Sequence, residues 1–388
     1  MDGTDRVARD DNDSEWHGGI VTAVSVVVAG GGTAGHIEPA MALADAVRRI
    51  EPAAQITALG TEKGLDRTLI PPRGYPLELI PPVPLPRKMN STLLRTPGRV
   101  NDAVRMTADV LARVNADVIV GFGGYVALPA YLAARRARLP IVVHEANARP
   151  GVANRLAARL THHVYTASEQ VRLPHAVAIG IPLRPAISGL DRTAMRPRGR
   201  SAFGLLPDAP TLLVTGGSQG AQSLNRACAG AADALRRAGI QVLHIVGGKN
   251  TVAVPPGQPP YAVVPFVEQM HLAYAAADFV LCRCGAMTCA EVSAVGLPAA
   301  YVPYPHGNGE QRLNAQPIVL AGGGLLVEDA TLRPSWIVEK LVPIMTDPCR
   351  LAAMSKSAAG AGSRDADIVL ARAVLNVAAE HRRFGTVR

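Results

Sequence analysis

The stretch VSVVVAGGGTAGHIEP, residues 24–39, decides how this chain is read. Val24, Val26, Val27 and Val28 make an apolar, β-branched run of the kind found in a buried parallel strand. The run empties into Gly30, Gly31, Gly32 and Gly35, and an alanine-rich helical pattern follows from Pro39 onward. Strand, tight loop and helix start together gather backbone N–H groups around one point, which suits a phosphate or another anion. His36 stands at the mouth of that loop, where a proton acceptor is useful. Gly30, Gly32 and Gly35 also satisfy G-x-G-x-x-G, so a dinucleotide loop and a plain glycine turn both remain open here.

Moving outward, the same design recurs. Residues 40–50 read as a helix and 55–59 as a second strand ending at Gly60, with Glu62 loosely placed for the ribose-binding acid of a dehydrogenase. Residues 117–121 form a strand that opens into Phe122-Gly123-Gly124-Tyr125, and 141–144 another that ends in Glu145-Ala146-Asn147. Strands at 163–166 and 177–179 complete the first half. The proline- and arginine-rich stretch 182–210 reads as a connection. Residues 211–215 then repeat the opening design, running into Gly216-Gly217-Ser218-Gln219-Gly220-Ala221 before a helical pattern. Strands follow at 242–246, 261–264, 279–282 and 299–302; residues 283–291 open a helix with Glu291 in an early turn. The tail reads as helices at 334–345, at 347–358 and from Ser363 to about Ala379. A duplicated strand, glycine loop and helix predict two α/β domains facing each other across a cleft, with ligands at the carboxyl ends of the strands.

A length of 388 residues suits two domains, and 48% hydrophobic with 18% charged residues describes a globular chain. No window reaches the ~20 apolar residues of a membrane span. Residues 1–22 are polar and acidic without an apolar core, and read as a disordered tail rather than a signal peptide, implying a cytoplasmic protein. Cys282, Cys284 and Cys289 cluster, but small buried residues explain them more simply than a metal site. The net charge of +9 favours an anionic partner, whether nucleic acid, membrane surface or phosphorylated substrate. With 4% aromatic residues and no interleaving of basic and aromatic side chains, nucleic acid is disfavoured. In residues 80–99, prolines at 81, 82, 84 and 86 predict a surface loop. It carries Val83, Leu85, Met89, Leu93 and Leu94 beside Arg87, Lys88, Arg95 and Arg99, which suits either a membrane surface or packing back onto its own domain.

An enzyme that moves a sugar from a nucleoside diphosphate must hold a pyrophosphate, read a ribose and base, and deprotonate an acceptor hydroxyl. Glycine loops at helix N-termini can meet the pyrophosphate, and a carboxylate such as Glu291 can hold ribose hydroxyls. A neutral histidine can take the proton, a role worth ~10²–10⁴-fold. Six motifs occur here in order: Gly-Gly-Thr-Ala-Gly-His (31–36), Gly-Gly-Tyr-Val (123–126), His-Glu-Ala-Asn (144–147), Gly-Gly-Ser-Gln-Gly-Ala (216–221), Cys-Arg-Cys-Gly-Ala-Met-Thr with Glu291, and Gln311 with Asn314. In these the chain resembles the MurG family of bacterial transferases, which add N-acetylglucosamine to lipid I to make lipid II; the likeness leaves out only the acidic tail and the last few residues.

The resemblance implies a GT-B fold of two Rossmann-like parallel-sheet domains. Residues 23–184 would face the acceptor and the membrane, 185–210 would link, 211–362 would bind the UDP-sugar, and a last helix in 363–388 could cross back. Thr33, Ala34 and Gly35 would line the donor side, with Asn147 and Arg184 reaching the donor from the same half. Ser218 would meet the diphosphate, Val267 the uracil, Glu291 the ribose and Gln311 the sugar, while Ala286, Met287, Thr288, Cys289 and Ala290 would flank the nucleotide. His36 would be the base, with Tyr125 near the acceptor. Ala34, Ile181 and Glu310 depart from the family pattern of glycine, asparagine and glutamine. The implied reaction is inverting transfer from UDP-N-acetylglucosamine to the 4-hydroxyl of the muramyl sugar of lipid I, with no metal and no tightly bound cofactor. The implied place is the cytoplasmic face of the cell membrane. There Leu85, Arg87, Lys88, Leu93 and Leu94 would meet anionic lipids, with cell-wall synthesis and division proteins as partners. Two other readings remain: a nucleotide-sugar epimerase of the same fold, and a non-enzymatic UDP-sugar-binding protein at the membrane surface. A dehydrogenase is disfavoured because the second half has no second G-x-G-x-x-G.

Overall fold

The computed structural model describes residues 23–62, 64–83, 96–306 and 308–385. In the first half the strands are β1 (Ser25–Gly30), β2 (Gln55–Gly60), β3 (Leu77–Leu79), β4 (Val118–Gly123), β5 (Ile141–Glu145), β6 (His163–Thr166) and β7 (Ala176–Ala178). They form one parallel sheet in the order β3-β2-β1-β4-β5-β6-β7. The second half contributes β8 (Thr211–Thr215), β9 (Gln241–Ile245), β10 (Tyr261–Val264), β11 (Phe279–Arg283), β12 (Ala299–Val302) and β13 (Gly324–Leu326). These pair in parallel as β10-β9-β8-β11-β12-β13. The chain is thus α/β with two Rossmann-like sheets. Every residue of β1, β4 and β8 is buried, as expected for central strands covered on both faces.

In each sheet the strand order reverses once, between β1 and β4 and between β8 and β11. Chains leave such a pair in opposite directions, so the loops at their carboxyl ends diverge and open a crevice. The glycine loops after β1, β4 and β8 and the turn after β11 all lie at these two points.

The last helix, Ala366–Gly385, follows the second sheet in sequence yet belongs to the core of the first. Its Leu370, Ala371, Val374 and Ala378 pack with Val26, Val28, Ile37 and Met41, an i, i+1, i+4, i+8 spacing that makes one apolar stripe. Polar contacts fix both of its ends: Asp367 accepts from Arg49, and Arg382 donates to Asp117 (2.7 Å) and to the Ala23 carbonyl (2.7 Å).

Several sequence expectations change. The first helix runs Ala34–Ile50 rather than starting after Pro39, so Gly35 and His36 lie in its first turn; Pro39 sits inside it and forfeits one helical hydrogen bond. The segment 185–210 is not an open connector. It holds the helices Pro185–Ser188 and Arg192–Ala202, and the second is packed by its arginines: Arg192 donates to the carbonyls of Gly296 (3.0 Å) and Ala277 (2.7 Å), and buried Arg200 pairs with Asp278 (2.9 Å). The short strands β3 and β13 carry too few residues to show a period. The expected helix at 334–345 is two, Pro334–Lys340 and Val342–Met345, with Pro343 early in the second. Val83, read as an exposed loop residue, is buried. Leu85, Arg87, Lys88, Met89, Leu93 and Leu94 lie outside the described residues.

Candidate active site

The first crevice is built by interlocking glycine turns. Gly124 follows β4 with φ +80°, a conformation L side chains rarely adopt, and any β-carbon there would run into the Gly31 carbonyl. The loop after β1 is braced from below by Asp66, which is fully buried. Its carboxylate accepts from the Gly32 N–H at 3.1 and 3.0 Å and from Thr61 Oγ1 at 3.4 Å. Burial raises the Asp66 pKa, and those donors oppose the rise.

On this platform His36 places Nδ1 3.1 Å from Thr33 Oγ1, and its Nε2 edge faces Gly123, where a β-carbon would come within 3.3 Å. Burial lowers the His36 pKa, and Glu310 from the second half acts the other way. Tyr125, 49% exposed, flanks Gly32. Within the helix Ala34–Ile50 no hydrogen bond uses the N–H groups of Ala34 and Gly35, because they belong to its first turn.

Asn147 is held by Glu145, whose buried carboxylate accepts from the Asn147 N–H (2.9 Å), the Gly151 N–H (3.0 Å) and Asn154 Nδ2 (2.9 Å). The two halves then meet through Asn314. Its Oδ1 accepts from the Ala148 N–H (3.0 Å), and its Nδ2 donates to the Cys284 carbonyl (3.2 Å). Arg149 also donates to the Asn308 carbonyl. Between the halves lies a cavity of ≈ 610 Å³ lined by Ala146, Ala148 and Gly180 on one side and Ala286, Ala290 and Asn314 on the other. Cys289 borders it as well.

In the second crevice, Ser218 is exposed on the loop after β8. Gly220 sits so close to the Val246 carbonyl that only glycine fits, and Asn250 ties the two loops by donating to the Gln219 (3.0 Å) and Val246 (3.1 Å) carbonyls. Opposite, the helix Ala286–Ala294 begins at Gly285 without a side-chain cap, so Ala286, Met287 and Thr288 present first-turn N–H groups. Glu291 lies one turn further, buried, with Oε2 accepting from the Tyr274 hydroxyl (2.8 Å) and Oε1 3.5 Å from Arg184 Nη2. Burial raises its pKa and Arg184 lowers it. Gln311 uses Oε1 to accept from the Tyr304 N–H (3.0 Å). Val267 is turned into the second core, and its neighbour Phe266 is 59% exposed.

The structure therefore gathers Thr33, His36 and Tyr125 at one crevice, Ser218 and residues 286–288 at the other, and Arg184 with Glu291 between them. Glu62 stands apart from both, 74% exposed in its side chain and paired with Arg67. Cys282, Cys284 and Cys289 are buried free thiols, with Cys282 pushed up to about 12 by burial. Among the described residues, no group of three or more His, Cys, Asp or Glu side chains could hold a metal ion. Sequence reasoning missed Asp66, Tyr274 and Asn250, which lie far in sequence from the loops they fix.

This arrangement matches known proteins along the chain. The model of the glycosyltransferase family 28 N-terminal domain matches residues 26–166, and that of its C-terminal domain residues 211–370. The chain belongs to glycosyltransferase family 28. Family 28 relatives extend the match. A Saccharopolyspora erythraea protein is 62% identical over 92% of this chain and 95% of its own length, and a Rhodococcus opacus protein 57% identical over 94% and 99%. Both are named UDP-N-acetylglucosamine--N-acetylmuramyl-(pentapeptide) pyrophosphoryl-undecaprenol N-acetylglucosamine transferase. Among solved structures, Acinetobacter baumannii MurG superposes with TM-score 0.74 at 25% identity, covering 91% of this family 28 chain and 99% of that one. A UDP-GlcNAc 2-epimerase from Neisseria meningitidis, bound to UDP-GlcNAc, shares the fold at 15% identity and TM-score 0.65, over 91% and 100%.

Proposed function

We infer that this chain transfers N-acetylglucosamine from UDP-N-acetylglucosamine to lipid I, forming lipid II for peptidoglycan. The observation that carries the reading is 57–62% identity, over more than nine-tenths of the chain, to relatives of that printed activity. The likeness to the epimerase, at 15% identity, is one of fold alone.

On this reading the donor diphosphate lies between Ser218 and the first-turn N–H groups of residues 286–288, dipoles that meet charge as it develops. Arg184 and Asn147 reach it from the other half, Glu291 takes the ribose hydroxyls, and Gln311 the sugar. Val267, its side chain turned into the core, offers its backbone to the uracil, with Cys289 and Ala290 behind the nucleotide, and Thr33, Ala34 and Gly35 close the donor side. In the tautomer that gives Nδ1–H to Thr33 Oγ1, His36 has a lone pair on Nε2. That nitrogen takes the proton of the muramyl 4-hydroxyl as its oxygen attacks the anomeric carbon. The bond from this carbon to the β-phosphate oxygen breaks, UDP leaves with the electron pair, and the configuration inverts. Tyr125 stands beside the acceptor. On this reading the transfer uses neither a metal nor a resident cofactor. Residues 23–184 act as the acceptor domain and 211–362 as the donor domain, with the helix after 363 returning to the first. We further propose peripheral association with anionic lipids at the cytoplasmic face of the membrane, in company with cell-wall and division proteins that govern cell shape.

The test is UDP release by purified protein with and without a lipid I analogue, comparing wild type with His36→Ala. Acceptor-dependent release that falls ~10²-fold or more in the variant is expected. Release that survives the substitution discards His36 as base, and release indifferent to the acceptor refutes the transferase reading.

A further inference from the structure

Arg184 sits where the chain passes from the first half to the second, between two carboxylates. Its Nη2 is 3.5 Å from Glu291 Oε1, and its Nε is 3.6 Å from Glu38 Oε2. Both separations exceed a good hydrogen bond, and Nε is buried with no hydrogen-bond partner. Glu38 lies on the helix Ala34–Ile50 two residues beyond His36, outside the six motifs that carry the family resemblance. Its second partner is Arg73, at 3.3 Å, which is itself paired with Asp45. Glu291 is anchored on its far side by the Tyr274 hydroxyl.

We propose that Glu38 is a positioning residue for the donor site: it keeps Arg184 from closing on Glu291, leaving the guanidinium for the phosphates of a nucleoside diphosphate and the carboxylate for its ribose. This deepens the donor reading of Arg184 and Glu291 and rests on it. A guanidinium offers a planar fork of donors that closes on a carboxylate in a bidentate pair when nothing opposes it. Here the Nε and Nη2 edge that would form such a pair is divided between two carboxylates, Glu38 at Nε and Glu291 at Nη2. Were the pair closed, a ligand would have to break it before binding, and the broken hydrogen bonds would subtract from affinity. Simple repulsion argues the other way, since a carboxylate near a diphosphate weakens its binding. The sign of the effect therefore separates the two accounts.

The experiment is Glu38→Gln in the full chain, with UDP affinity measured by titration calorimetry and initial rates measured against each substrate. UDP dissociation constant and donor KM should rise on the order of fivefold, the size of a partly exposed ion pair. Acceptor KM and kcat should stay within about twofold, and Glu38→Asp, which keeps the charge, should recover most of the affinity. Arg73 retains Asp45 in the variant, so the melting temperature should hold. Unchanged or tighter UDP binding overturns the proposal, as does a parallel loss in kcat and both KM values. A wild-type chain that binds no UDP brings down the donor reading itself, whereas an unaffected variant of a UDP-binding wild type refutes only the role of Glu38.

Discussion

Gly30→Ala tests whether the position of the first helix sets the rate. Gly30 ends β1, and a β-carbon there would meet the His36 carbonyl at 2.6 Å, Ala40 Cβ at 2.9 Å and Phe122 Cβ at 3.1 Å. None of these is the yielding tip of a flexible side chain. To restore an ordinary contact of about 3.4 Å, the helix start must retreat by roughly 0.8 Å, carrying His36 with it. Overpacking of this kind costs ~1–3 kcal/mol, which in a domain of this size lowers the melting temperature by roughly 3–10 °C. If His36 is the proposed proton acceptor, displacing it by most of an ångström should cost about 10- to 100-fold in kcat, with donor KM changed much less. The assay is UDP release at saturating donor and acceptor, alongside thermal unfolding. Gly98→Ala serves as control, since a β-carbon at that position meets nothing within 4 Å. A folded Gly30→Ala variant with wild-type kcat would refute the argument.

Burial holds the His144 imidazole down at about 4, with one ring nitrogen on the Gly180 carbonyl. The unfolded chain therefore binds the extra proton between pH 6.5 and about 4, and stability falls with pH through that window, by about 2 kcal/mol from this group at pH 5. Urea unfolding at pH 7.5 and 5 should show it, and a His144→Gln variant with the same pH slope would contradict it. Burial also lowers the His36 pKa, so the acidic limb of kcat/KM, which reports the free enzyme, should lie below 6.5. Glu310→Gln, removing the charge that opposes this, should move the limb lower still; a limb above 6.5, or one indifferent to Glu310, rejects His36 as base. Replacing Leu85, Leu93 and Leu94 with serine should reduce sedimentation with anionic vesicles, and unchanged binding would rule that stretch out as an anchor.

Much of the architecture was legible because central parallel strands are written as unbroken apolar runs. β8 and β12 were found residue for residue, as was the edge strand β10, and the glycine loops that follow the central strands announced the crevices. Where the local pattern was ambiguous, packing decided. The helix starting at Ala34 carries a glycine and a proline that read as breakers, but burial of Ile37, Met41 and Leu43 against the sheet outweighs the lost hydrogen bond. The helix Arg192–Ala202 looks polar and irregular in sequence because its arginines do their work on the carbonyls at the ends of other helices.

For the site, the sequence alone suggested the residues that the proposed function uses: glycine turns for phosphate, His36 for a proton, Glu291 for hydroxyls. It did so because each lies within a few residues of a strand end, and short-range pattern is what a sequence records. Only the tertiary structure decided what holds them. Asp66 under the first loop, Tyr274 behind Glu291, Asn314 bridging the halves and Glu38 across Arg184 come from segments remote in sequence. Their roles depend on where two sheets and a returning helix bring the backbone. Distance in three dimensions, not spacing along the chain, sets hydrogen bonds, burial and the fields that follow from them.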